Sequence, residues 1–476
     1  MEKYTSLSEI QGLIAQGAIT LPDLLEHYFI RITEYEHLNA FNEVFFSSAR
    51  EQAAAVQARM ISGRAGRLAG MVIGIKDNIC YKGHKVTASS KMLEDFVSPY
   101  SSTVVERLLA EDAVIIGRLN CDEFAMGGSN ETSFYGPVKN AADHTRVSGG
   151  SSGGSAVAVQ AGLCLAALGT DTGGSVRQPA AFCGKIGLKP TYGRISRYGV
   201  IAYASSFDQV GTITSCVDDA ALLLEVLAGA DDYDSTVSQV PVGSYLPKPT
   251  TGQKRRIAVL RETIESEALD PEIRSAIMRS VDTLKAAGHQ VDLVSFDLLD
   301  YLVPAYYILT SAEASSNLSR YDGVHYGYRN KEAAGLNELY KRSRAEGFGE
   351  EVKKRIMLGT FVLSAGYYDA YYQKAQQVRQ MIRKQVDKIL SAYDFILSPV
   401  SPTPAFKIGE NIKDPLVMYM EDIFTVLAPL AGNPAIALPL GNNSEELPLS
   451  VQFLAKHFDE EGLLSFSRHF LELTEQ

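Results

Sequence analysis

Residues 169–184 read GTDTGGSVRQPAAFCG, and a second segment rich in glycine and serine, GGSSGGS, occupies residues 149–155. The alanine- and valine-rich run at 156–161 follows the second segment and predicts a helix. Glycine lets backbone N–H groups approach a ligand closely, and several N–H groups aimed at one point can hold an oxyanion. Tight turns and helix caps favour the same residues, so either segment alone is equally consistent with both interpretations.

The sequence on both sides of these segments alternates between strand and helix patterns. Residues 71–76 (MVIGIK) and 113–117 are short apolar runs that predict strands, and residues 103–110 between them predict a helix. Further along, Pro271 follows Asp270 at a predicted helix start. This alternation predicts an α/β fold, with a largely parallel or mixed sheet covered by helices on both faces.

The domain organisation is predicted to be simple. Residues 1–60 show helical periodicity and are expected to form an N-terminal helical segment packed on the core. Residues 61–470 are expected to form a single domain, because no repeat and no charged tract separates them into parts. The stretch most similar to a linker, residues 241–253 (PVGSYLPKPTTGQ), is predicted to be a surface loop within that domain.

Composition and charge limit the possible functions and locations. The net charge of −11 argues against unaided binding of nucleic acid, which needs clustered Lys and Arg. The five cysteines are an odd number with no metal-site spacing, which favours reduced thiols in a cytoplasmic protein. No signal sequence, membrane span, phosphate loop or metal motif is apparent, so we expect no membrane association, metal or cofactor in this chain.

A serine nucleophile in either glycine-rich segment would need a base. The histidine nearest to them, His144, lies in a polar loop and is expected to be a surface or capping residue. Lys76 ends the predicted strand at 71–76, and burial could hold its amine neutral. An ordinary lysine reaching solvent from a strand end is the alternative interpretation of the same position.

Taken together, the motifs resemble the amidase signature family. The matching segments are GIKDN (74–78), EFAMGGS (123–129), GGSSGGS (149–155), GTDTGGSVRQPAAFCG (169–184) and GLKPTYG (187–193). The resemblance implies a central twisted mixed β-sheet covered by helices on both faces. It also implies a triad in which Ser175 is the nucleophile, Ser151 bridges after a cis Gly150–Ser151 peptide, and Lys76 is the base. The N–H groups of Thr172, Gly173, Gly174 and Ser175 would then hold the oxyanion.

Within that family, residues 312–326, 421–425 and 449–459 are similar to the glutaminase subunits of tRNA-dependent amidotransferases. This resemblance implies that the substrate is glutamine, with Arg355 on its carboxylate and Asp422 on its ammonium group. Tyr306 would line the pocket, although Tyr307 is a close rival, and Ser129 is a further candidate.

The same resemblance implies partners. The chain would assemble with subunits B and C as a heterotrimer, in which the partner subunit uses ATP and Mg and holds most of the tRNA. Ammonia from glutamine would then amidate a misacylated Glu-tRNA(Gln) or Asp-tRNA(Asn).

Two other functions share the same motifs. A stand-alone amidase acting on small or fatty amides would keep the triad but would not need Arg355 and Asp422. A purely structural protein of the same fold would need neither, although intact Lys76, Ser151 and Ser175 argue against it. Arg355 also lies in a short basic run at 353–355, which could instead be a solvated helix face.

Overall fold

The computed structural model describes residues 4–248, 253–411 and 414–474. Within these ranges, eleven strands form one sheet. They are β1 (Phe41–Val44), β2 (Val72–Lys76), β3 (Val114–Leu119), β4 (Ala166–Asp171), β5 (Ile186–Lys189), β6 (Gln209–Thr214), β7 (Arg256–Leu260), β8 (Gln290–Val294), β9 (Phe395–Pro399), β10 (Ala435–Asn442) and β11 (Pro448–Ala455).

Helices join these strands and cover both sides of the sheet. They are α1 (Leu7–Ala15), α2 (Leu21–Glu34), α3 (Phe46–Ile61), α4 (Thr103–Ala110), α5 (Gly153–Gln160), α6 (Arg177–Phe182), α7 (Val217–Leu227), α8 (Arg261–Ile264), α9 (Pro271–Ala286), α10 (Leu299–Asn317), α11 (Leu336–Gly347), α12 (Glu350–Leu363), α13 (Lys374–Ala392), α14 (Pro415–Met420), α15 (Leu427–Ala431) and α16 (Glu460–Thr474).

The sheet is mixed, as the alternating pattern predicts. Its strand order is β1-β3-β2-β4-β6-β5-β10-β11-β9-β7-β8. The strands β3, β2 and β4 are parallel neighbours, as are β9, β7 and β8, whereas the strands between these two groups pair antiparallel. The predicted α/β class with a mixed, two-sided sheet is therefore confirmed.

The parallel pair β2 and β4 positions the segments that the sequence analysis singled out. Every residue of both strands is buried, which fits their apolar composition. Ile75 lies opposite Leu168, so the two strands end at the same edge of the sheet. Lys76 ends β2 there, and the DTGGSVR segment leaves β4 at the same edge.

Local signals located several elements well. The predicted helix at 103–110 is α4, and α9 begins at Pro271 with the Asp270 side chain accepting hydrogen bonds from the first-turn N–H groups. The prediction for residues 1–60 missed strand β1, which pairs with β3. Its sequence, FNEV, has two polar residues and is half-buried, so it carries neither an apolar run nor a helical period.

The core is continuous from the N-terminal helices to the last helix. Buried apolar residues from Leu7 to Phe470 form one cluster, and the Leu7 N–H donates to the Asp219 carboxylate on α7. The division of the chain at residue 60 stays a prediction. Residues 241–248 lie outside helices and strands, as predicted for a loop, whereas 249–252 lie outside the described residues. None of the helices in the described ranges has the length and apolar character needed to cross a membrane.

Candidate active site

Lys76 lies at the centre of a buried cluster of hydroxyl groups. Its Nζ atom is 2.7 Å from Ser151 Oγ, 2.9 Å from Ser152 Oγ and 3.0 Å from Thr170 Oγ1. The side chain is fully buried, so the alternative of a lysine reaching solvent is wrong. The structure thus joins the end of β2 to the GGSSGGS segment and to β4.

Burial changes the acidity of this amine. It lowers the pKa of Lys76 to about 8, because the charged form loses its hydration. Negative charge on the nearby Cys121 and Asp122 would act in the opposite direction. All of its hydrogen-bond partners are hydroxyl oxygens, so within the described ranges no carboxylate touches the amine. Roughly a tenth of the amine is therefore neutral at pH 7, and the neutral fraction rises as the pH approaches 8.

The GGSSGGS segment turns sharply into helix α5. The Gly150–Ser151 peptide is cis, as the resemblance implies. A Cβ atom on Gly150 would lie 2.1 Å from Asp122 Oδ2 and 2.8 Å from the Ser129 backbone nitrogen, so only glycine fits at this position. This close approach packs the serine segment against the loop that follows Asp122.

Ser175 lies in the turn between β4 and α6, beside the second glycine-rich segment. Its carbonyl accepts a hydrogen bond from the Ser152 N–H at 3.1 Å. Ser175 is 8% exposed, whereas Lys76 and Ser151 are 0% exposed, so of these three residues only Ser175 is open to a ligand. This difference fits the predicted division into nucleophile, bridge and base.

The backbone N–H groups before Ser175 are not equivalent. The Gly174 N–H donates to Asp171 Oδ1 at 2.9 Å, so it could serve an oxyanion only by sharing or losing that bond. Across the described parts of the chain, the N–H groups of Thr172, Gly173 and Ser175 have no acceptor. The geometry therefore favours these three donors over Gly174, which the sequence analysis had grouped with them.

A buried ion pair fixes the shape of this turn. Arg177 Nε lies 3.0 Å from Asp171 Oδ2, and Arg177 Nη2 lies 3.0 Å from Asp171 Oδ1. Both side chains are fully buried. Burial alone would raise the pKa of Asp171, but the charge and hydrogen bonds of Arg177, together with the Lys189 charge and the Val176 N–H, hold that pKa below its usual value. Arg177 also donates to Gln452 on β11 and to the Thr425 carbonyl.

Arg355 on α12 is buried rather than part of a solvated basic face. It is 4% exposed, its Nε donates to Glu351 Oε1 at 2.8 Å, and its Nη1 donates to the Tyr203 hydroxyl at 2.6 Å. The guanidinium also lies 5.0 Å from the centre of the Tyr307 ring. The alternative of an exposed basic cluster is therefore wrong for Arg355.

Asp422 faces the same region and supplies the opposite charge. Its Oδ2 accepts a hydrogen bond from the Tyr307 hydroxyl at 2.6 Å. Burial raises the pKa of Asp422 to about 6, and the Tyr307 bond and the Arg355 charge oppose that rise. The carboxyl is therefore mostly ionised at neutral pH. The structure thus brings together the predicted cation and anion, which are 67 positions apart in the sequence.

A pocket opens beside Arg355 and beside Tyr307, whose hydroxyl bonds Asp422. Its wall includes Gly128, Ser129, Tyr307, Glu351, Arg355 and Tyr419. Ser129 lines the pocket, as the sequence analysis expected.

The two neighbouring tyrosines have separate positions. Tyr307 lines the pocket and holds Asp422. Tyr306, which the sequence analysis preferred for the pocket, instead lies against the nucleophile turn. A Cβ atom on Gly173 would be 2.4 Å from the Tyr306 hydroxyl. Successive helix residues point about 100° apart, so the two tyrosines face different parts of the site, and a role of Tyr306 in substrate binding stays a prediction.

Several residues of the site were missed by the sequence analysis. Asp171 and Arg177 flank the quoted DTGGSVR segment, and their opposite charges in an apolar setting were a usable signal. Glu351 lies four positions before Arg355, the spacing of a helical ion pair, and this too was a usable signal. Asp208 and Tyr203 gave none, because no pattern in the sequence relates them to Thr172 or Arg355. Within the described residues, no three His, Cys, Asp or Glu side chains are grouped as metal ligands.

Comparison with known proteins agrees with this geometry. Residues 23–464 match the family model described as Amidase. The A subunit of the glutamyl-tRNA(Gln) amidotransferase of Chlorobium luteolum is 48% identical over 469 residues, which cover 98% of this chain and 97% of that protein. The protein of the same name from Koribacter versatilis is 50% identical over 458 residues, covering 95% and 94%.

A solved structure gives the same result in three dimensions. The crystal structure of the glutamyl-tRNA(Gln) amidotransferase A subunit from Thermotoga maritima matches with a TM-score of 0.76 and 39% identity. The match covers 94% of this chain and 89% of that one. The motifs, the fold and these matches agree, and the chain belongs to the amidase signature family.

Proposed function

We propose that this chain is a glutamine amidohydrolase that releases ammonia for the amidation of a misacylated tRNA. The observation that carries the proposal is the buried arrangement in which Tyr307, at the pocket wall, contacts both Arg355 and Asp422. A free amino acid has one carboxylate and one ammonium group, and this pair of opposite charges matches both. A neutral or fatty amide would supply no opposite charge to Arg355 or Asp422, whose protein partners leave part of their hydrogen-bonding capacity unused.

The chemistry follows from the hydroxyl cluster. Neutral Lys76 accepts a proton from Ser151, which in turn accepts the proton of Ser175. The Ser175 oxygen then attacks the carboxamide carbon of glutamine, and the N–H groups of Thr172, Gly173 and Ser175 hold the resulting oxyanion. The proton returns along the same route to the amide nitrogen, and the carbon–nitrogen bond breaks. Ammonia leaves, and a glutamyl ester on Ser175 remains.

The second half of the reaction uses the same groups in reverse. Water loses a proton to the Ser151–Lys76 pair and attacks the ester carbon. The Ser175–carbon bond breaks, Ser175 recovers its proton and glutamate leaves. The balance is one glutamine and one water converted to glutamate and ammonia, with no redox step.

The partners are proposed from the names of the relatives. Those proteins are each named as the A subunit of an amidotransferase, which supports assembly of this chain with subunits B and C into a heterotrimer. ATP and Mg would act in the partner subunit, which would also hold the Glu-tRNA(Gln) or Asp-tRNA(Asn). The net charge of −11 supports a minor role for this chain in binding tRNA. Five free cysteines support a reducing, cytoplasmic location.

The nucleophile is tested by Ser175→Ala. Removing one oxygen should abolish glutamate release while the thermal unfolding temperature stays close to that of the wild type, because the change removes one atom from a residue that keeps some exposure to solvent. Glutamate and ammonia are measured together on the full chain with its co-purified subunits. Retained turnover would overturn the assignment of Ser175.

The substrate is tested by Arg355→Ala. Losing the carboxylate partner should raise the KM for glutamine by roughly a hundredfold, since charge-assisted hydrogen bonds are among the strongest in proteins. Lys353→Ala is the matched control, because its amine pairs with the exposed Glu350 at 2.6 Å. Equal wild-type activity on glutamine and on a neutral short-chain amide would favour the stand-alone amidase instead.

A further inference from the structure

We propose that Asp208 and Tyr203 are positioning residues that tie the nucleophile turn to Arg355, so that one buried link aligns both ends of the substrate. This inference rests on the proposed function and adds residues to it. Neither side chain lines the pocket, so both would act through other groups.

Asp208 holds two segments at once. Its Oδ1 accepts a hydrogen bond from Thr172 Oγ1 at 2.6 Å, and Thr172 carries one of the N–H groups aimed at the oxyanion. Its Oδ2 accepts from the Tyr203 N–H at 2.9 Å and from the Ala204 N–H at 3.1 Å. The residue is 4% exposed, so these protein donors compensate for the burial of its carboxyl group.

Tyr203 continues the link to the substrate side. Its hydroxyl accepts from Arg355 Nη1 at 2.6 Å and donates to Thr310 Oγ1 at 2.9 Å. The Arg355 guanidinium also lies 5.5 Å from the centre of the Tyr203 ring. With Glu351 on Nε and Tyr203 on Nη1, the guanidinium is fixed from two sides, which leaves its remaining donors for the carboxylate of a ligand.

The two ends of the site must keep a fixed separation for catalysis. The carboxylate of glutamine is held by Arg355 while its amide carbon must meet Ser175. A displacement of about 1 Å in such an arrangement can cost on the order of a hundredfold in rate. A single carboxylate bonded to both supporting segments is a direct way to set that separation.

The two residues predict different kinetic effects, which are measured with glutamine as substrate on the full chain and its co-purified subunits. Tyr203→Phe removes only the oxygen that Arg355 bonds, so the KM should rise about tenfold while kcat stays within about twofold. Asp208→Asn should also lower kcat, by roughly tenfold to a hundredfold. The new NH₂ group would face a hydrogen-bond donor, either Thr172 or the N–H groups of Tyr203 and Ala204, so the turn and the Tyr203 segment would no longer be held together.

Matched variants separate positioning from general stability. Tyr393→Phe also loses a hydrogen-bonded hydroxyl, to Asp292, and Asp219→Asn changes a buried carboxyl that accepts from the Leu7 N–H, both away from the pocket. These controls should keep wild-type KM and kcat even if they lower the unfolding temperature. If the Asp208→Asn variant fails to fold, the KM of the Tyr203→Phe variant alone tests the proposal.

Two results would count against different parts of the argument. A wild-type chain that releases no glutamate in its complex would overturn the proposed function. A wild-type chain that is active, with a Tyr203→Phe variant whose KM is unchanged, would overturn the link and leave the proposed function standing.

Discussion

Lys76 shows how one residue can serve as a base without histidine. The lysine is fully buried, and its amine touches only the hydroxyls of Ser151, Ser152 and Thr170 among the described residues. Hydroxyl groups satisfy the amine without the strong preference for the ammonium form that a contacting carboxylate would give. Burial therefore lowers its pKa to about 8, within the range useful for proton transfer at neutral pH.

This position of Lys76 predicts the pH dependence of the reaction. Below a pKa of about 8, each unit of pH changes the neutral fraction of Lys76 about tenfold, and above it the fraction levels off. The kcat/KM for glutamine should rise with unit slope through neutral pH and flatten near pH 8. The Asp422 carboxyl, with a pKa of about 6, is already ionised over that range. A profile that is flat from neutral pH upward would contradict a neutral-lysine base.

At the scale of elements, the turn between β4 and α6 depends on the buried pair of Asp171 and Arg177. The pair lies at the end of a strand and the start of a helix, and Arg177 extends the contact to Gln452 on β11. A buried ion pair is not itself strong evidence of stability, because desolvation offsets much of the attraction. Removing only one partner lowers the stability of the protein much more, because the other charge then stays buried without an opposite charge beside it.

Arg177→Met should therefore destabilise the protein strongly. The free energy of unfolding, measured by urea denaturation of the purified chain, should fall by about 3–5 kcal/mol. Arg50→Met is the control, because Arg50 and Glu26 form an exposed pair whose loss should change little. A similar small loss in both variants would show that Asp171 is stabilised by its backbone donors alone.

The same elements show how far the sequence could be interpreted. Strand β2 with Lys76 at its end, helix α4 and the Asp270 cap of α9 carry local signals, and the two Gly-Ser segments contain Ser151 and Ser175. Strand β1 carries no such signal, because a short half-buried segment has neither an apolar run nor a clear period.

Contacts across long sequence separations could not be predicted in this way. Tyr203 meets Arg355 across 152 positions, and Thr172 meets Asp208 across 36. The choice between Tyr306 and Tyr307 also depended on the rotation of α10 against the site. These features are set by tertiary packing, which acts on segments whose local patterns are unrelated.

At the scale of the whole molecule, the site exists only in the complete fold. Lys76, Ser151 and Ser175 come from the N-terminal half of the chain, and Arg355 and Asp422 come from the C-terminal half. Arg177 joins the halves, because it bonds Asp171 on β4 as well as Gln452 on β11 and the Thr425 carbonyl. A fragment ending before α12 would contain Lys76, Ser151 and Ser175 but would lack Arg355, Asp422 and the strands β9, β10 and β11.

The overall charge leads to a last prediction, about the partner. A chain with 45 Lys and Arg against 56 Asp and Glu repels a polyanion over most of its surface. The isolated chain should therefore show no binding of Glu-tRNA(Gln) at micromolar concentration in a fluorescence anisotropy assay at physiological salt, whereas the complex with subunits B and C should bind it. The same complex should form Gln-tRNA(Gln) only when ATP and a nitrogen source are present, either glutamine or added ammonia. Ser175→Ala should abolish that product with glutamine but not with added ammonia. Tight binding of tRNA by the isolated chain would mean that a local basic surface outweighs the net charge, and it would contradict the proposal that the partner holds the tRNA.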